Sequence, residues 1–190
     1  MTENELAQFP DQSVNDAGEI VDLQLWVDEF ERYFDERILS EIRTTIEIGL
    51  QTAPYILISC AIDFLVTFWA GADSTRTHYR NFVNTFFIGY DGEKLYRELR
   101  CRMVHNHTVG ERAIICWDEP DIHRCTTVDG TVVLNLGQFF DDFIQAKNRY
   151  FAALRSSPCL LKTHIRRFND MGVLCSIDSD DVREWVAAGH

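Results

Sequence analysis

The chain has 190 residues and a formal net charge of −12, with 46% hydrophobic and 25% charged residues. This mixture is typical of a globular domain, and it excludes a disordered chain, a collagen-like repeat and a small disulfide-held scaffold. Most of the negative charge lies in residues 1–41, where 12 acidic residues accompany only Arg32 and Arg37. A broad nonspecific nucleic-acid surface is not expected, because that mode needs many lysines and arginines.

The first 20 residues are acidic and show no sustained hydrophobic periodicity. We interpret residues 1–20 as a mobile acidic tail that aids solubility, with masking of a basic site or mimicry of nucleic acid as the alternatives. Residues 21–190 are predicted to form a single helical domain. The N-terminus lacks the basic and apolar pattern of a secretory signal, and the six cysteines are widely spread, so we expect reduced thiols and a cytoplasmic location.

Apolar residues recur at helical spacing through most of the chain, which predicts a mainly α-helical fold. Pro54 suits the first turn of one helix, and Ser179 is a candidate cap for another. The predicted helices cover residues 22–46, 54–70, 77–87, 93–105, 139–154 and 158–168, with a short one from about residue 180.

Residues 53–72 are long and apolar enough to span a bilayer and carry a single charge, that of Asp63. A carboxylate near the centre of such a span would cost about 2.5–3.5 kcal/mol on insertion scales. We therefore expect a core helix and no membrane association, with Asp63 as a hydrogen-bonded core acid.

The pattern changes to short segments rich in β-formers at residues 112–117, 122–128 and 131–136. Asp129-Gly130, between the last two, is typical of a tight hairpin turn. These features predict a small antiparallel hairpin or meander inserted at about residues 111–136.

A cluster of arginines and histidines follows within the fourth predicted helix. Arginine matches phosphate oxygens with a planar, permanently charged fork, and histidine both accepts and gives protons near neutral pH. Together they suit metal-free cleavage of a phosphodiester, in which one group deprotonates a ribose 2′-hydroxyl and another stabilises the charged phosphorane. The cluster consists of Arg97, Arg100, Arg102, His105 and His107.

On an ideal helix, Arg100 and His105 lie roughly 140° apart, whereas Arg100 and His107 share a face. Arg100 and His105 meet at one phosphate only if the helix bends or ends near His105, or if a second copy of the motif supplies the partner group. The alternative is a solvated basic helix end, where the helix dipole stabilises positive charges near the C-terminus.

The pattern Leu99-Arg100-x4-His105, with Met103-Val104 before the histidine, resembles the Arg-x4–6-His motif of HEPN domains, which are helical proteins of nucleotide-binding and RNase type found in toxin–antitoxin and antiviral systems. The resemblance covers about residues 54–155. It implies a HEPN-like helical bundle and a homodimer in which two motifs form one site. It also implies a metal-independent, cofactor-free RNase or nucleotide-binding protein that leaves a 2′,3′-cyclic phosphate, with an antitoxin-like partner.

Carried onto this chain, the resemblance makes Arg100 the phosphate-stabilising group and His105 the general acid or base. Arg97, Arg102 and His107 are then expected to assist in binding RNA or nucleotide. One position departs from the family, because Cys101 follows the arginine where members often carry Asn or Asp, and a thiol is a weak hydrogen-bonding group.

Three other interpretations stay open. The first is a non-catalytic helical binding or assembly module, in which Arg100 and His105 pair with acids across helices or cap a helix end. The second is a second basic surface between Arg155 and Arg167, with His164 exposed on it. The third is a zinc site, although the sequence lacks the two tight ligand pairs usual for structural zinc, so we expect no metal. Its candidate ligands are Cys101, His105, Cys116, His123 and Cys125.

Overall fold

The computed structural model describes residues 23–171. The predicted acidic tail and the predicted helix from about residue 180 lie outside the described residues. Within them the protein is mainly helical, as predicted, and each remaining predicted helix is present. The helical segments are α1 (Leu23–Tyr33), π1 (Phe34–Leu39), α2 (Ser40–Glu47), α3 (Ala53–Ala70), α4 (Arg76–Phe86), α5 (Gly92–Lys94), π2 (Leu95–Cys101), α6 (Arg102–Asn106), α7 (Leu136–Ser156) and α8 (Pro158–Met171).

Two of the predicted helices contain a wide π-helical stretch. The segments α1, π1 and α2 follow one another without a break, and so do α5, π2 and α6. A π turn closes its hydrogen bonds over five residues instead of four, so it changes the direction of the side chains that come after it. The spacing of apolar residues in the sequence does not reveal this change of direction, because it is compared with an α-helical repeat.

Helix α3 is the central helix of the fold. It starts with Pro54 in its first turn and ends at Gly71, whose φ of 65° closes the helix in the left-handed conformation. It packs against α2, α4, α7 and α8. Of the described helices, α3 alone has the length and composition to cross a membrane, and half of its residues are buried inside the protein.

An aromatic cluster joins α1, α3, α7 and α8. His164 of α8 lies at its centre, with its ring centroid 4.6 Å from that of Phe30 and 4.7 Å from that of Phe68. The prediction that His164 is exposed is therefore wrong, because its exposed fraction is 0%. Its Nδ1 lies 2.6 Å from the Tyr150 hydroxyl. Burial lowers the pKa of His164 to about 3, so the ring is neutral at physiological pH.

The acidic residues of the first helical run pair with bases of α7. The buried Lys147 ammonium lies 2.8 Å from a Glu31 oxygen and 2.9 Å from an Asp35 oxygen. Arg155 pairs with Asp28 and Glu31, each at 2.6 Å. The predicted basic surface is thus partly neutralised at Arg155, because α7 packs against α1.

The predicted antiparallel hairpin is wrong, because the two strands are parallel. They are β1 (Ala113–Cys116) and β2 (Val132–Asn135), with Ala113 opposite Val132. Residues 117–131 carry the chain back, through a short 3₁₀ turn, to the end where β1 began. The Asp129-Gly130 turn is present, but the segment before it makes one antiparallel bridge, Thr126 to Val132. The sequence pattern located β1 and β2 and misassigned their pairing, and the third predicted segment, residues 122–128, forms no strand.

Candidate functional site

The Arg/His cluster lies on the continuous helical segment α5–π2–α6. The Asp91 side chain caps its start by accepting hydrogen bonds from the backbone N–H groups of Glu93 and Lys94. Its buried face consists of Leu95, Leu99 and Met103. Packing of this face against the core leaves Arg97, Arg102, His105 and His107 exposed, while Arg100 is half-buried.

The helix ends two residues after His105. His107 has a φ of 54°, and its backbone N–H donates to the Met103 carbonyl at 3.1 Å. The N–H of Thr108 donates to the Arg102 carbonyl at 3.4 Å. The bond from His107 to Met103 is that of an αL-type C-cap, in which a left-handed residue stops the helix.

Arg100 and His105 contact each other within one chain. The Arg100 Nη1 atom lies 3.3 Å from the His105 Nε2 atom. Arg100 lies in π2 and His105 in the last turn of α6. The two side chains can meet because the helix widens at Arg100 and ends just after His105. Because Nη1 can only donate, His105 Nε2 is the acceptor in this hydrogen bond.

Asp63 of α3 holds Arg100 from the other side. The Arg100 Nε atom donates to Asp63 Oδ2 at 2.7 Å, and Nη2 donates to the same oxygen. The Ser74 hydroxyl donates to the other carboxylate oxygen at 2.6 Å. Asp63 is thus a hydrogen-bonded acid, as predicted, and its partner is the arginine of the motif. Burial opposes the charge of Arg100, but the bonds from Asp63 outweigh it and raise its pKa.

Two further groups, the Tyr96 ring and the Cys60 thiol, lie near the Arg100 guanidinium, which remains accessible. About a fifth of each side chain of the Arg100–Asp63 pair is exposed, and His105 is exposed. The Arg100 Cζ atom lies 5.7 Å from the centre of the Tyr96 ring, which adds a cation–π contact. The Cys60 thiol is nearby, where burial and then the Asp63 charge raise its pKa and disfavour the thiolate.

The other predicted binding residues lie apart from this pair. Arg97, Arg102 and His107 are all exposed on α5–π2–α6 or at its end. In the described part of the chain, no hydrogen bond joins any of them to Arg100 or His105. Their role in binding RNA or nucleotide stays a prediction.

The Asp63–Arg100 ion pair predicts strong coupling between two helices. We expect Asp63→Ala and Arg100→Ala each to lower the free energy of unfolding by about 2 kcal/mol, since each removes charge-assisted bonds from a mostly buried group. The double variant should lose about 1–2 kcal/mol less than the sum of the two. Urea unfolding measures all three. The exposed Arg97→Ala control should change stability by less than about 0.5 kcal/mol, and strict additivity would contradict the pairing.

The left-handed His107 predicts a stabilising substitution. A non-glycine residue in this conformation costs about 1–2 kcal/mol, and glycine adds flexibility to the unfolded chain that offsets part of the gain. His107→Gly should therefore raise the free energy of unfolding by about 0.5 kcal/mol in urea unfolding. A decrease would show that the imidazole contributes more to the helix end than its backbone conformation costs.

The zinc hypothesis finds no support in the geometry, because residues 23–171 contain no group of three or more His, Cys, Asp or Glu placed to hold a metal ion. His123 is engaged elsewhere. Its Nδ1 accepts the backbone N–H of Asn135 at 3.0 Å, and its Nε2 lies 2.9 Å from the Tyr90 hydroxyl and 3.2 Å from Asp142. Burial lowers the pKa of His123, although Asp142 opposes that shift.

Sequence reasoning missed two of the residues that organise this part of the molecule. In sequence, Asp141-Asp142 favours a solvated helix face, and nothing singles out Ser74. Neither carries a signal in sequence, because Ser74 reaches Asp63 only when α4 is placed beside α3. Asp63 did carry a signal, as the one charge in an apolar helix.

Comparison of the chain with protein-family models, with curated proteins and with solved structures finds no match. The resemblance to HEPN domains therefore rests on the Arg100–His105 motif and its sequence surroundings. What the fold adds is the geometry of that motif: an arginine held by an acid from a neighbouring helix and in contact with an exposed histidine.

Proposed function

We propose that this chain is a HEPN-like, metal-independent endoribonuclease of the cytoplasm that acts through Arg100 and His105. The observation that carries the proposal is the 3.3 Å contact between Arg100 Nη1 and His105 Nε2 at the protein surface. A permanently charged phosphate-binding group and a titratable acid–base group thereby meet at a position that RNA can reach.

The chemistry follows from the state of each group. When a substrate phosphate takes over the hydrogen bond from Arg100 Nη1, the freed His105 Nε2 lone pair accepts the proton of a ribose 2′-hydroxyl, and the 2′-oxygen then attacks the adjacent phosphorus. The bond from phosphorus to the 5′-oxygen breaks, and the leaving oxygen takes a proton from water or from His105 of a second copy of the chain. The products are a 2′,3′-cyclic phosphate and a 5′-hydroxyl.

Arg100 stabilises the negative charge that develops on the phosphorane oxygens. Asp63 holds Nε and Nη2, so the guanidinium is fixed with Nη1 directed toward His105. A fixed donor stabilises a transition state without reorganising at the moment of reaction. Arg97, Arg102 and His107 would contact the flanking phosphates.

Incubation of the purified protein with a labelled mixed-sequence RNA in excess EDTA tests this function. We expect cleavage that persists in EDTA and yields fragments ending in 2′,3′-cyclic phosphate, detected by mass spectrometry. Absence of cleavage at any ratio of protein to RNA would contradict the proposal, as would fragments ending in a 3′-hydroxyl.

A second function, a non-catalytic helical binding or assembly module, is favoured by one specific observation. Asp63 neutralises Arg100 and occupies two of its nitrogen atoms, which is the ion pair expected of a structural arginine. In that case RNA is not cleaved, while the homodimer or the antitoxin-like partner implied by the HEPN resemblance still forms. The cleavage assay separates the two functions, whereas sedimentation of the intact chain tests the homodimer that both functions imply.

A further inference from the structure

A cavity of about 160 Å³ lies between the helical segment α5–π2 and the two strands, away from the Arg100–His105 contact. Its floor includes Leu95, Leu99 and Leu134, whose exposed fractions are 5%, 0% and 1%. At about 30 Å³ per water molecule, the space corresponds to roughly five waters. The cavity is therefore large enough for a small organic molecule with an apolar part.

The cavity wall also carries charges of both signs. Lys94 and Glu98 lie one helical turn apart on the same face, and Arg124 lies across from them on the segment before β2. A site with an apolar floor and a few convergent polar groups is the usual form of a small-molecule site.

Three backbone features let these charged groups occupy their positions. A Cβ atom on Gly89 would lie 2.8 Å from Arg124 Nη1, and one on Gly110 would lie 1.8 Å from a Glu98 carboxylate oxygen. Arg124 itself has a φ of 63°, which is strained for any residue but glycine. Strain of this kind persists only where the surrounding structure enforces it, and it is concentrated at binding sites.

The two cations keep hydrogen-bonding capacity for a ligand. Arg124 Nη1 donates to the Ile88 carbonyl at 2.8 Å and Nε forms an ion pair with Asp142 at 3.8 Å, while Nη2 has no hydrogen-bond partner among residues 23–171. Lys94 Nζ donates to the Gly130 carbonyl at 3.0 Å, which leaves two of its three protons. The Arg124 guanidinium also lies 5.7 Å from the centre of the Tyr90 ring, which helps to fix it in place.

We propose that this cavity binds a free α-amino acid with an apolar side chain, of the size of valine or leucine. The ligand carboxylate would accept from Arg124 and Lys94, the ammonium group would donate to Glu98, and the side chain would lie on the leucine floor. A purely anionic ligand would place its charge beside Glu98, and a purely cationic one would place its charge beside Lys94 and Arg124. A zwitterion satisfies both signs.

Isothermal titration calorimetry of the full chain with leucine, N-acetyl-leucine and leucinamide tests the proposal. We expect leucine to bind and to raise the melting temperature. N-acetyl-leucine lacks the ammonium group and leucinamide lacks the carboxylate, so each should bind at least tenfold more weakly. Because these comparisons use the unaltered protein, they do not depend on the folding of any variant.

Substitutions then assign the contacts. Arg124→Gln and Glu98→Gln should each weaken leucine binding about tenfold or more, while the exposed neighbours Arg112→Gln and Glu111→Gln should leave it unchanged. The proposal is overturned if valine and leucine give neither heat nor a thermal shift at 20 mM. It is equally overturned if N-acetyl-leucine binds as well as leucine, or if binding survives both cavity substitutions.

Discussion

Replacing His105 with alanine is expected to slow RNA cleavage in EDTA by at least about 100-fold. General acid–base groups typically contribute 10²–10⁴-fold to a rate. Within residues 23–171, Arg100 has hydrogen bonds to two titratable side chains, Asp63 and His105, and Asp63 is already engaged by two of the Arg100 nitrogen atoms. The histidine is exposed, so its removal should leave the free energy of unfolding nearly unchanged. Single-turnover cleavage of a labelled RNA measures the effect.

His78→Ala is the matched control, because His78 bonds to the Asp73 carbonyl at the start of α4 and has no role in the proposed chemistry. Its variant should cleave at the wild-type rate. Arg100→Lys adds a second test, since lysine keeps a charge for Asp63 but loses the planar fork. We expect that variant to fold and to cleave slowly. Cleavage that survives both His105→Ala and Arg100→Lys would refute the assignment and indicate a contaminating nuclease.

Acidification from pH 7 to pH 5 is expected to cost the fold about 2 kcal/mol through His164 alone. Its pKa is lowered to about 3 in the folded protein by burial, against about 6.5 in an unfolded chain. The folded state thus favours the neutral ring, and this stabilisation is complete above about pH 6.5. It is lost progressively as the pH falls toward 3, because the unfolded chain binds the proton more readily.

Urea unfolding of wild type and His164→Asn at pH 7, 6 and 5 isolates this contribution. Asparagine places an amide oxygen near the position of Nδ1, so it can still accept from Tyr150, and it does not titrate in this range. The variant will be less stable overall, and the expected result is a shallower fall of its stability with pH. Parallel pH dependences for the two proteins would show that His164 takes up its proton within the fold.

The helices were predictable from sequence because their burial pattern repeats locally. Phe139, Phe143 and Tyr150 lie on one face of α7, and their spacing shows this without knowledge of the helices that pack on them. Pro54 and Gly71 mark the ends of α3 through their own backbone preferences. The pairing of the strands was not predictable in the same way. Alternation at residues 113–116 and 132–135 identifies strands, but their parallel direction depends on the path of residues 117–131.

Half of the site was predictable for a similar reason. Arg100 and His105 lie five residues apart, so the local helical geometry decides whether they meet. The sequence showed that they meet only if the helix bends or ends near His105, but it did not show whether the helix does so. Asp63 lies 37 positions earlier, and its pairing with Arg100 depends on how α3 packs against π2. The burial of His164 likewise required α8 to be placed against α1, since a basic run of residues 162–167 looks the same in sequence on either face.

The π-helical stretch Leu95–Cys101 sets the phase of everything that follows it on the helix. Each residue of an ordinary helix advances the side chains by about 100°, so deleting Cys101, the one residue of this stretch that follows Arg100, would turn His105 by about 100° relative to Arg100. The same deletion would leave the hydrogen bonds between Asp63 and the Arg100 guanidinium in place. This one-residue deletion in the π-helical stretch would therefore separate the His105 imidazole from Arg100 and keep the Asp63–Arg100 ion pair that joins α3 to π2.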